Sequence, residues 1–450
     1  MADKQISTQK VKLRVSKSPA VRKLQRTLYQ QAKSKPNWKA WSLYADVCRL
    51  EFIEEAMSRV LDNRGGCGVD GYTVEMMDIE WDGFRDSLQQ ELLEKTFRPS
   101  PVRAVSIPKE NGGTRTLGIP TVKDRVVQMI LVLLLEPIFE ADFHDESYAY
   151  RRGKKATDAV ESISKALYFG KTMVIEADLS QYFDTLDHDR LMKLIKGRVS
   201  DGSILSLIKQ FLKVPVIEED KEGKKKTIPN KNKGVPQGGV ISPLLANLYL
   251  DKLDKAVNAL DPSRVKMVRY ADDFVILIKE GLEEVILERV KDWLEKVGLT
   301  LNLSKTKVTN TRAKGKVEFL GFELSERISP RTGNRFIHCQ PSKKSRQKFR
   351  DKIRVELNHW TKWRDTKQVV ERVNRITRGW GNYFHHGSSS QVFSSANSWL
   401  YQRVRIWLRK KHTGQSAGKS MYVRFPQEML ATKLGVYALP EYAKWTQPTG

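Results

Sequence analysis

The chain has 450 residues, of which 40% are hydrophobic and 29% charged, with a formal net charge of +26. This length and composition exclude a disordered chain and predict two or three folded domains. The three cysteines, Cys48, Cys67 and Cys339, form no CxxC pair, which argues against a zinc ribbon or a disulfide framework and favours a reducing cytoplasm. The most apolar run, Met129–Phe139, is shorter than the roughly 20 residues that cross a bilayer, so we expect no membrane partner.

The positive charge is concentrated towards the two ends of the chain. Residues 1–40 hold 11 Lys and Arg against 1 acid, and residues 341–420 hold 19 against 4. A near-neutral body between two basic segments is typical of a protein that grips a polyanion, although a basic solvated surface is the alternative at this point. The residues predicted to contact nucleic acid are Arg22, Lys23, Arg26, Arg403, Arg405 and Arg409.

The first part of the chain is predicted to be mainly helical. Val21, Leu24 and Leu28 form a thin apolar stripe within a basic arm, which we assign to an N-terminal extension. Asn111-Gly-Gly113 is typical of the turn of a β-ribbon. The predicted elements are helices at Trp38–Leu61, Trp81–Lys95 and 123–135, with strands at Arg103–Ile107 and Thr114–Gly118.

From residue 172 onward the pattern alternates between strands and helices. The run Thr172–Asp178 is apolar and ends on an acid, and Ser242 with Pro243 predicts the N-cap and first turn of a long helix. The polar segment Lys221–Lys233 predicts a flexible or hairpin loop. The other predicted elements are helices at Asp189–Val199 and 281–297, and strands at Val265–Tyr270, Phe274–Leu277, Leu299–Val308 and Val317–Leu324.

Past Pro341 the apolar period becomes purely helical. Phe349, Ile353 and Leu357 share one helical face, and two similar stripes follow, so we predict a bundle of three basic amphipathic helices. The predicted division of the chain is an extension at 1–61, an α+β unit at 62–335, the helical bundle at 341–412 and a short tail at 413–450.

Asp178, Asp272 and Asp273 are the candidate catalytic and metal-binding residues. Two adjacent aspartates at the tip of a predicted hairpin repel each other, and a third acid ends a separate strand. Carboxylates gathered at one edge of a sheet provide the hard oxygen ligands that Mg²⁺ prefers. Two such ions can activate a 3′-hydroxyl and stabilise a leaving pyrophosphate. The alternative is an ordinary Asp-Asp turn without function.

Three sequence blocks carry a family resemblance. They are Val174–Asp178 with Phe183, then Gly234-Val-Pro-Gln-Gly-Gly-Val-Ile-Ser-Pro, and finally Arg269-Tyr-Ala-Asp-Asp273. In this order they resemble the motifs of reverse transcriptases, over the span from Gly68 to Phe322. The resemblance implies a right-hand polymerase of the α+β class, with fingers and palm in 62–335 and an all-α thumb. It also implies an RNA-directed DNA polymerase that uses two Mg²⁺ ions and dNTP substrates.

The same resemblance implies roles for individual nucleotide-binding residues. Phe183 falls where the family places an aromatic that excludes a ribose 2′-hydroxyl, and an ordinary core phenylalanine is the alternative. Gln237 matches the position that contacts the incoming nucleotide, while Lys109 and Arg115 match the basic pair that closes on its triphosphate.

Lys305 matches a candidate proton donor to the pyrophosphate. Lys307 competes for that role, and a surface lysine without function is a third interpretation.

Further motifs resemble the group II intron branch of the reverse transcriptases. They are Gly68-Val-Asp-Gly71, then Gly118-Ile-Pro-Thr-Val-Lys-Asp-Arg125, and Ile376-Thr-Arg-Gly-Trp-Gly-Asn-Tyr-Phe384 in the thumb or maturase region. The resemblance implies binding of group II intron RNA or another RNA template, assistance of splicing, a DNA primer or target, and retrohoming in a bacterial cytoplasm. A generic thumb without a splicing role is the alternative interpretation of the helical region.

The sequence departs from this family in two places. Ser147-Tyr-Ala-Tyr-Arg-Arg-Gly153 replaces the usual Gly-Phe-Arg-Pro pattern, so the contact there is expected to differ. No His-Asn-His endonuclease pattern follows Lys411, and we therefore do not expect second-strand cleavage by this chain; His385-His386 is not expected to bind a metal. Two other functions remain open: a domesticated reverse transcriptase, for example in phage defence, and a splicing-only RNA-binding maturase.

Overall fold

The computed structural model describes residues 18–108, 112–219, 222–230, 232–412 and 421–442. Within these residues the chain has a mixed α+β fold with a C-terminal helical region. The helices before that region are α1 (Pro19–Ser34), α2 (Tyr44–Val47), α3 (Leu50–Asn63), α4 (Val74–Ile79), α5 (Trp81–Leu93), α6 (Val122–Glu140), α7 (Ala156–Tyr168), α8 (Tyr182–Thr185), α9 (His188–Lys196), α10 (Gly202–Lys213), α11 (Ser242–Leu260) and α12 (Glu283–Lys296).

The strands form three sheets, and the C-terminal region follows the last of them. The strands are β1 (Val102–Pro108), β2 (Thr114–Ile119), β3 (Met173–Ala177), β4 (Val216–Glu219), β5 (Lys225–Ile228), β6 (Val265–Tyr270), β7 (Asp273–Ile278), β8 (Lys307–Asn310), β9 (Val317–Phe319), β10 (Phe322–Ile328) and β11 (Arg335–Pro341). The C-terminal helices are α13 (Lys343–Glu356), a 3-10 turn (Trp360–Trp363), α14 (Thr366–Phe384), α15 (Ser390–His412), α16 (Met421–Arg424) and α17 (Gln427–Thr432).

The first sheet has the strand order β2-β1-β4-β5. β1 and β2 pair antiparallel along their length, which confirms the predicted β-ribbon. β4 adds in parallel to β1 through Val102 and Val216, and forms a hairpin with β5. β5 lies within Lys221–Lys233, so this polar segment contributes to a hairpin rather than only to a loop.

The central sheet has the order β6-β7-β3-β8, and its neighbours are all antiparallel. Every residue of β3 is buried. Because successive side chains of a strand face opposite sides, Ile175 joins the hydrophobic cluster that contains α6 and α11, and Val174 joins a second cluster with the C-terminal helices. A sheet buried on both faces is thus formed from nearly continuous apolar runs, and its edge carries Asp178.

The C-terminal helices are joined to the third sheet, β11-β10-β9, by aromatic contacts. The ring of Phe322 in β10 lies 4.8 Å from that of Phe384 and 5.6 Å from that of Tyr383, both in α14. Trp380 stacks on Phe349 of α13 at 4.6 Å. The three helices predicted past Pro341 are confirmed as α13, α14 and α15.

Four local predictions were wrong. The strand predicted at Val317–Leu324 is divided into β9 and β10 by a turn at Leu320 and Gly321. The strand predicted at Leu299–Val308 is confined to β8, because the backbone N–H groups of Lys305 and Thr306 both donate to the carbonyl of Asn302 and form a turn. The helix predicted at Trp38–Leu61 is divided into α2 and α3. Ser242 is the first helical residue rather than the N-cap, and its hydroxyl donates to the carbonyl oxygen of Pro236 at 2.8 Å.

Both ends of the described chain pack against the rest of the protein. In α1, Leu28 is buried and Gln25 Nε2 donates to the carbonyl oxygen of Leu133 in α6 at 2.8 Å. Phe425 and Leu439 are buried in the same cluster as α13, α14 and α15, so residues 421–442 pack with the helical region rather than as a separate tail. The division at 61, 335 and 412 stays a prediction.

The apolar run Met129–Phe139 lies inside α6, where most side chains belong to the larger hydrophobic cluster. Across the described ranges, no helix has both the length and the apolar composition needed to span a bilayer.

Candidate active site

Two aspartates occupy the tip of the hairpin between β6 and β7. Tyr270 pairs with Asp273, which leaves Ala271 and Asp272 as the turn. Ala271 has φ = 60°, in the left-handed region that side chains other than glycine adopt only when their surroundings enforce it. The predicted hairpin is therefore confirmed, and its turn is strained at the residue that precedes the two acids.

Asp178 is brought to the same edge by the register of the central sheet. Ala177 at the end of β3 pairs with Phe274, next to Asp273 on β7. The backbone N–H of Asn302 donates to the carbonyl oxygen of Asp178 at 2.9 Å, which ties this strand end to the segment before β8. The sheet thus brings Asp178 close to Asp272 and Asp273, although Asp178 lies more than ninety positions earlier in the sequence.

The two candidate lysines have different partners. Lys305 Nζ lies 2.6 Å from Asp178 Oδ2, whereas Lys307 Nζ lies 3.0 Å from Glu176 Oε1. Lys307 is paired across the sheet with Glu176, and its ammonium group forms an ion pair with that carboxylate. Of the two, Lys305 is therefore the residue beside the predicted catalytic carboxylates.

The electrostatics of the site favour added positive charge. Burial, followed by the charge of Asp178, raises the pKa of Asp272. Although solvent reaches Asp273, burial and then the charges of Asp272 and Asp178 raise its pKa to about 6. The hydrogen bond to Asp178 raises the pKa of Lys305. The carboxylates thus repel one another, and the Lys305 ammonium group supplies only part of the compensating charge.

The three carboxylates have the donor chemistry that divalent metal ions prefer. Three carboxylates provide hard oxygen ligands, and the Lys305 ammonium group beside Asp178 already acts as a cation there. In the described residues, no group of three or more potential ligands has the spacing of a completed metal site. Asp178 and Asp273 also line an open cavity of ≈430 Å³ that includes Lys305 and Lys344.

A buried arginine that the sequence interpretation missed holds the hairpin tip in place. Arg269 is only 1% exposed. Its Nε and Nη2 donate to the two carboxylate oxygens of Asp254 at 2.7 and 2.6 Å. Its Nη1 donates to the carbonyl oxygen of Ala271 at 2.9 Å and to Asn247 Oδ1 at 3.0 Å. A planar guanidinium with several donors can thus fix the strained turn and neutralise a buried acid together. Its position on the same strand face as the apolar residues Val265 and Met267 was the available signal.

The same arginine anchors a segment from another part of the chain. Arg269 Nη2 donates to Ser147 Oγ at 2.8 Å, and its backbone pairs with residues on either side of Ser147. Tyr150 in this segment has φ = 60° and is 57% exposed. Burial and then the charge of Asp272 raise the pKa of Tyr150, so this phenol lies near the hairpin tip.

The predicted nucleotide-binding residues are partly connected. Arg115 Nε donates to Gln237 Oε1 at 2.5 Å, and Gln237 Nε2 lies 3.4 Å from the carboxylate of Asp184. The loop that carries Gln237 packs tightly, because a Cβ at Gly238 would lie 2.6 Å from the carbonyl oxygen of Gly118, and Gly238 also has φ = 125°. Lys109 lies outside the described residues.

Phe183 is 7% exposed and belongs to the larger hydrophobic cluster. Its ring lies 5.5 Å from that of Tyr182, whose hydroxyl donates to the carbonyl oxygen of Ala246. The backbone N–H of Val235, in the second of the three sequence blocks, donates to the carbonyl oxygen of Phe183 at 2.7 Å. Phe183 is thus firmly positioned, and its role as a steric gate stays a prediction.

The predicted nucleic-acid contacts at the N-terminal end lie on one helix. Lys23 and Arg26 are exposed on α1, whereas Arg22 is half-buried. Arg22 and Arg26 line an open cavity of ≈310 Å³ against the end of α6.

At the other end, Arg405 has to be removed from the predicted set. It is 7% exposed, its Nε donates to the carbonyl oxygen of Phe425 at 2.8 Å, and its guanidinium lies 4.8 Å from the ring centre of Tyr422. The side chain therefore joins α15 to residues 421–425 instead of facing RNA. Arg403 is half-buried and Arg409 exposed on the same helix.

The chain matches two protein families along its length. Residues 107–324 match the reverse transcriptase (RNA-dependent DNA polymerase) family, and residues 346–425 match the maturase-specific domain of group II introns. Protein YkfC of Escherichia coli (strain K12) is 33% identical over 365 residues, which cover 72% of this chain and 94% of YkfC. The chain belongs to the group II intron reverse transcriptase and maturase family.

This group II intron family member therefore has an RNA-directed DNA polymerase domain, and its two matched regions imply binding of an RNA template. The group II intron-encoded protein LtrA of Lactococcus lactis subsp. cremoris is 28% identical over 354 residues, 64% of this chain and 57% of LtrA. The chain thus covers little more than half of that relative.

Among solved structures, apo telomerase from Candida tropicalis superimposes with a TM-score of 0.41 and 16% identity, covering 56% of this chain and 59% of that one. At this TM-score the likeness supports no further conclusion.

Proposed function

We propose that this protein copies group II intron RNA into DNA and assists the splicing of that RNA. The observation that carries the proposal is the presence, in one chain, of three convergent aspartates in a reverse transcriptase domain and of a maturase-specific domain. Retrohoming, with a DNA primer or target, is the activity that joins these two functions.

For the polymerase we propose the right-hand arrangement, with fingers and palm in 62–335 and the thumb in the helical region. Asp178, Asp272 and Asp273 would hold two Mg²⁺ ions, which when bound would stabilise charge on the attacking 3′-hydroxyl and the leaving pyrophosphate. Burial and then the charges of Asp272 and Asp178 raise the pKa of Asp273 to about 6. The mutual repulsion of the carboxylates favours this uptake of cations.

The chain's own residues would position the nucleotide around those carboxylates. Arg115 can donate paired hydrogen bonds to the triphosphate once it leaves Gln237, and Gln237 would contact the nucleotide itself. Phe183 would exclude a 2′-hydroxyl by steric conflict. The exposed ammonium group of Lys305 would donate a proton to the departing pyrophosphate, since it already lies beside Asp178.

For RNA binding we propose the basic faces at the two ends of the chain. Lys23 and Arg26 on α1, with Arg403 and Arg409 on α15, would pair with phosphates. Arg22 would contribute from its half-buried position.

The first test is extension of a DNA primer annealed to an RNA template in Mg²⁺. Wild-type protein is expected to extend it, and Asp272→Asn to abolish extension with RNA affinity unchanged, because the basic faces are intact. Asp82→Asn, a change of an exposed carboxylate on α5, is the matched control and should retain full extension. Full extension by Asp272→Asn would refute the active-site assignment.

The second test is splicing of a group II intron RNA, with and without protein. Stimulation of splicing is expected from wild type and also from Asp272→Asn. Extension without any stimulation would indicate a domesticated reverse transcriptase, and stimulation without extension would indicate a splicing-only maturase.

A further inference from the structure

Trp360 and Trp363 are the two most exposed aromatic side chains among the described residues, at 79% and 80%. They occupy the first and last positions of the 3-10 turn between α13 and α14. Because residues three apart lie on the same side of a 3-10 helix, both indoles project from one side of the turn. A pair of large apolar side chains left in water at one place is a feature of interaction sites rather than of ordinary surface.

The turn that carries the two tryptophans is rigidly attached to the helical region. Thr361 between them is 7% exposed, and its hydroxyl accepts a hydrogen bond from Trp407 Nε1 on α15 at 3.1 Å. The backbone N–H of Thr361 donates to Asn358 Oδ1 at 3.0 Å. Lys411 Nζ donates to the carbonyl oxygen of Lys362 at 2.9 Å. The indoles are therefore exposed on a fixed base, which lowers the entropic cost of binding a ligand.

The pair lies in a basic segment of the chain, next to a lysine. Lys362 Nζ lies 4.9 Å from the ring centre of Trp363, within cation–π distance. Residues 343–412 hold 18 Lys and Arg against 4 Asp and Glu. The surface thus combines flat aromatic faces with an excess of cations.

We propose that Trp360, Lys362 and Trp363 form a tryptophan platform on which unpaired bases of bound RNA stack. Every base has a π face that can stack on an indole whatever its sequence, and the adjacent phosphates can pair with lysine. The proposal rests on the proposed binding of RNA by the helical region, and it names the part of the RNA that this surface takes. Unpaired segments are required, because bases in a duplex already stack on one another.

The charge of the region favours RNA over the other possible occupants. An apolar peptide would offer no negative charge to the cations of this segment, whereas single-stranded RNA supplies both π faces and phosphates. An anionic membrane surface also attracts tryptophan and lysine, and it is kept as an outcome of the test.

The test measures affinity for a short fluorescein-labelled oligouridine and for a blunt RNA duplex of the same length, by fluorescence anisotropy. The double variant Trp360→Ala with Trp363→Ala is expected to bind oligouridine at least about fivefold more weakly, about 1 kcal/mol, and the duplex unchanged. The slope of log affinity against log salt should stay the same, because no phosphate contact is removed. Lys362→Ala should instead flatten that slope by about 0.7.

Two controls separate stacking from loss of structure. Trp360→Phe with Trp363→Phe keeps aromatic faces and should retain most of the oligouridine affinity. Trp41→Ala removes another exposed indole, 76% exposed and outside the helical region, and should change neither affinity. Thermal melting of each variant checks that the fold is intact.

Unchanged oligouridine binding by the double alanine variant would overturn the proposal, as would an equal loss on duplex and oligouridine. If the double alanine variant no longer floated with phosphatidylserine vesicles but still bound oligouridine, the proposal would be overturned in favour of a membrane surface. Primer extension on a preannealed template is scored separately. A failure of primer extension therefore counts only against the proposed polymerase function. A failure of the double variant to lose more affinity for oligouridine than for the duplex counts only against the platform.

Discussion

Removal of the Asp254 carboxylate is expected to destabilise the protein and to inactivate the polymerase site together. Asp254→Ala leaves the guanidinium of Arg269 without its counter-charge, and both side chains are no more than 2% exposed. Breaking a buried ion pair by removing one partner costs about 3–5 kcal/mol, because the remaining charge stays desolvated. Both carboxylate oxygens of Asp254 are hydrogen-bonded to Arg269, which places the expected loss within that range.

The loss would be measured by equilibrium urea unfolding, and activity by primer extension. Asp351→Ala is the matched control, since it removes an aspartate from an ion pair whose side chains are 45% and 55% exposed. An exposed pair of this kind contributes about 0–1 kcal/mol. A loss for Asp254→Ala no larger than that of Asp351→Ala would refute the assignment of a buried, structural ion pair.

A double variant distinguishes stability from positioning. Asp254→Leu with Arg269→Met replaces the pair by apolar side chains of similar size, and such replacements are often neutral for stability. The carbonyl oxygen of Ala271 would still lose its hydrogen bond from Arg269, so the turn that carries Asp272 would no longer be held. We expect recovered stability with little primer extension. Full extension by the double variant would show that Arg269 does not position the hairpin.

Three other predictions concern the gate, a buried acid and the N-terminal helix. Phe183→Val should increase rNTP incorporation relative to dNTP, and unchanged discrimination with intact polymerisation would place the gate elsewhere. Burial raises the pKa of Asp124 to about 6, above its unfolded value, so its ionisation costs folding free energy as pH rises towards 6 and above. The free energy of unfolding of Asp124→Asn should therefore rise relative to that of wild type between pH 4 and 6, by up to about 3 kcal/mol. Above pH 6 the difference between the two proteins should stay constant. If urea titrations gave the same difference at every pH, this prediction would be contradicted. The double variant Lys23→Ala with Arg26→Ala should weaken RNA binding. It should also flatten the slope of log affinity against log salt by about 0.7–0.9 per lost phosphate contact. Equal slopes for the variant and wild type would show that these two charges do not contact RNA.

Much of the secondary structure near the site could be predicted from local signals. The hairpin around Asp272 and Asp273 follows from two apolar runs separated by a short turn, and the ribbon of β1 and β2 follows from a glycine-rich turn. Prediction failed at Leu299–Val308, where apolar alternation continued through a turn closed by backbone hydrogen bonds to Asn302. Alternation predicted a buried strand position for Leu303, whereas the turn leaves this side chain 67% exposed.

The choice between the two candidate lysines required the tertiary structure. Lys305 and Lys307 have the same charge and similar flexibility, and both follow the same helix. The register of β8 against β3 pairs Lys307 with Glu176 and leaves Lys305 beside Asp178. Strand register depends on the whole sheet, so no local pattern distinguishes the two residues.

The sequence alone determined the reverse transcriptase motifs, the three aspartates and the basic segments, because each is a property of neighbouring residues. Only the tertiary structure decided which charges are available. Arg269 is buried by Asp254, Asn247 and Ser147, the last of them 122 positions away, and Arg405 is covered where residues 421–425 fold back onto α15. An arginine that faces solvent and one that is buried in the core cannot be told apart from the residues next to them in the sequence. Burial by distant segments, with the hydrogen bonds that compensate for lost water, determines whether it binds RNA or supports the fold.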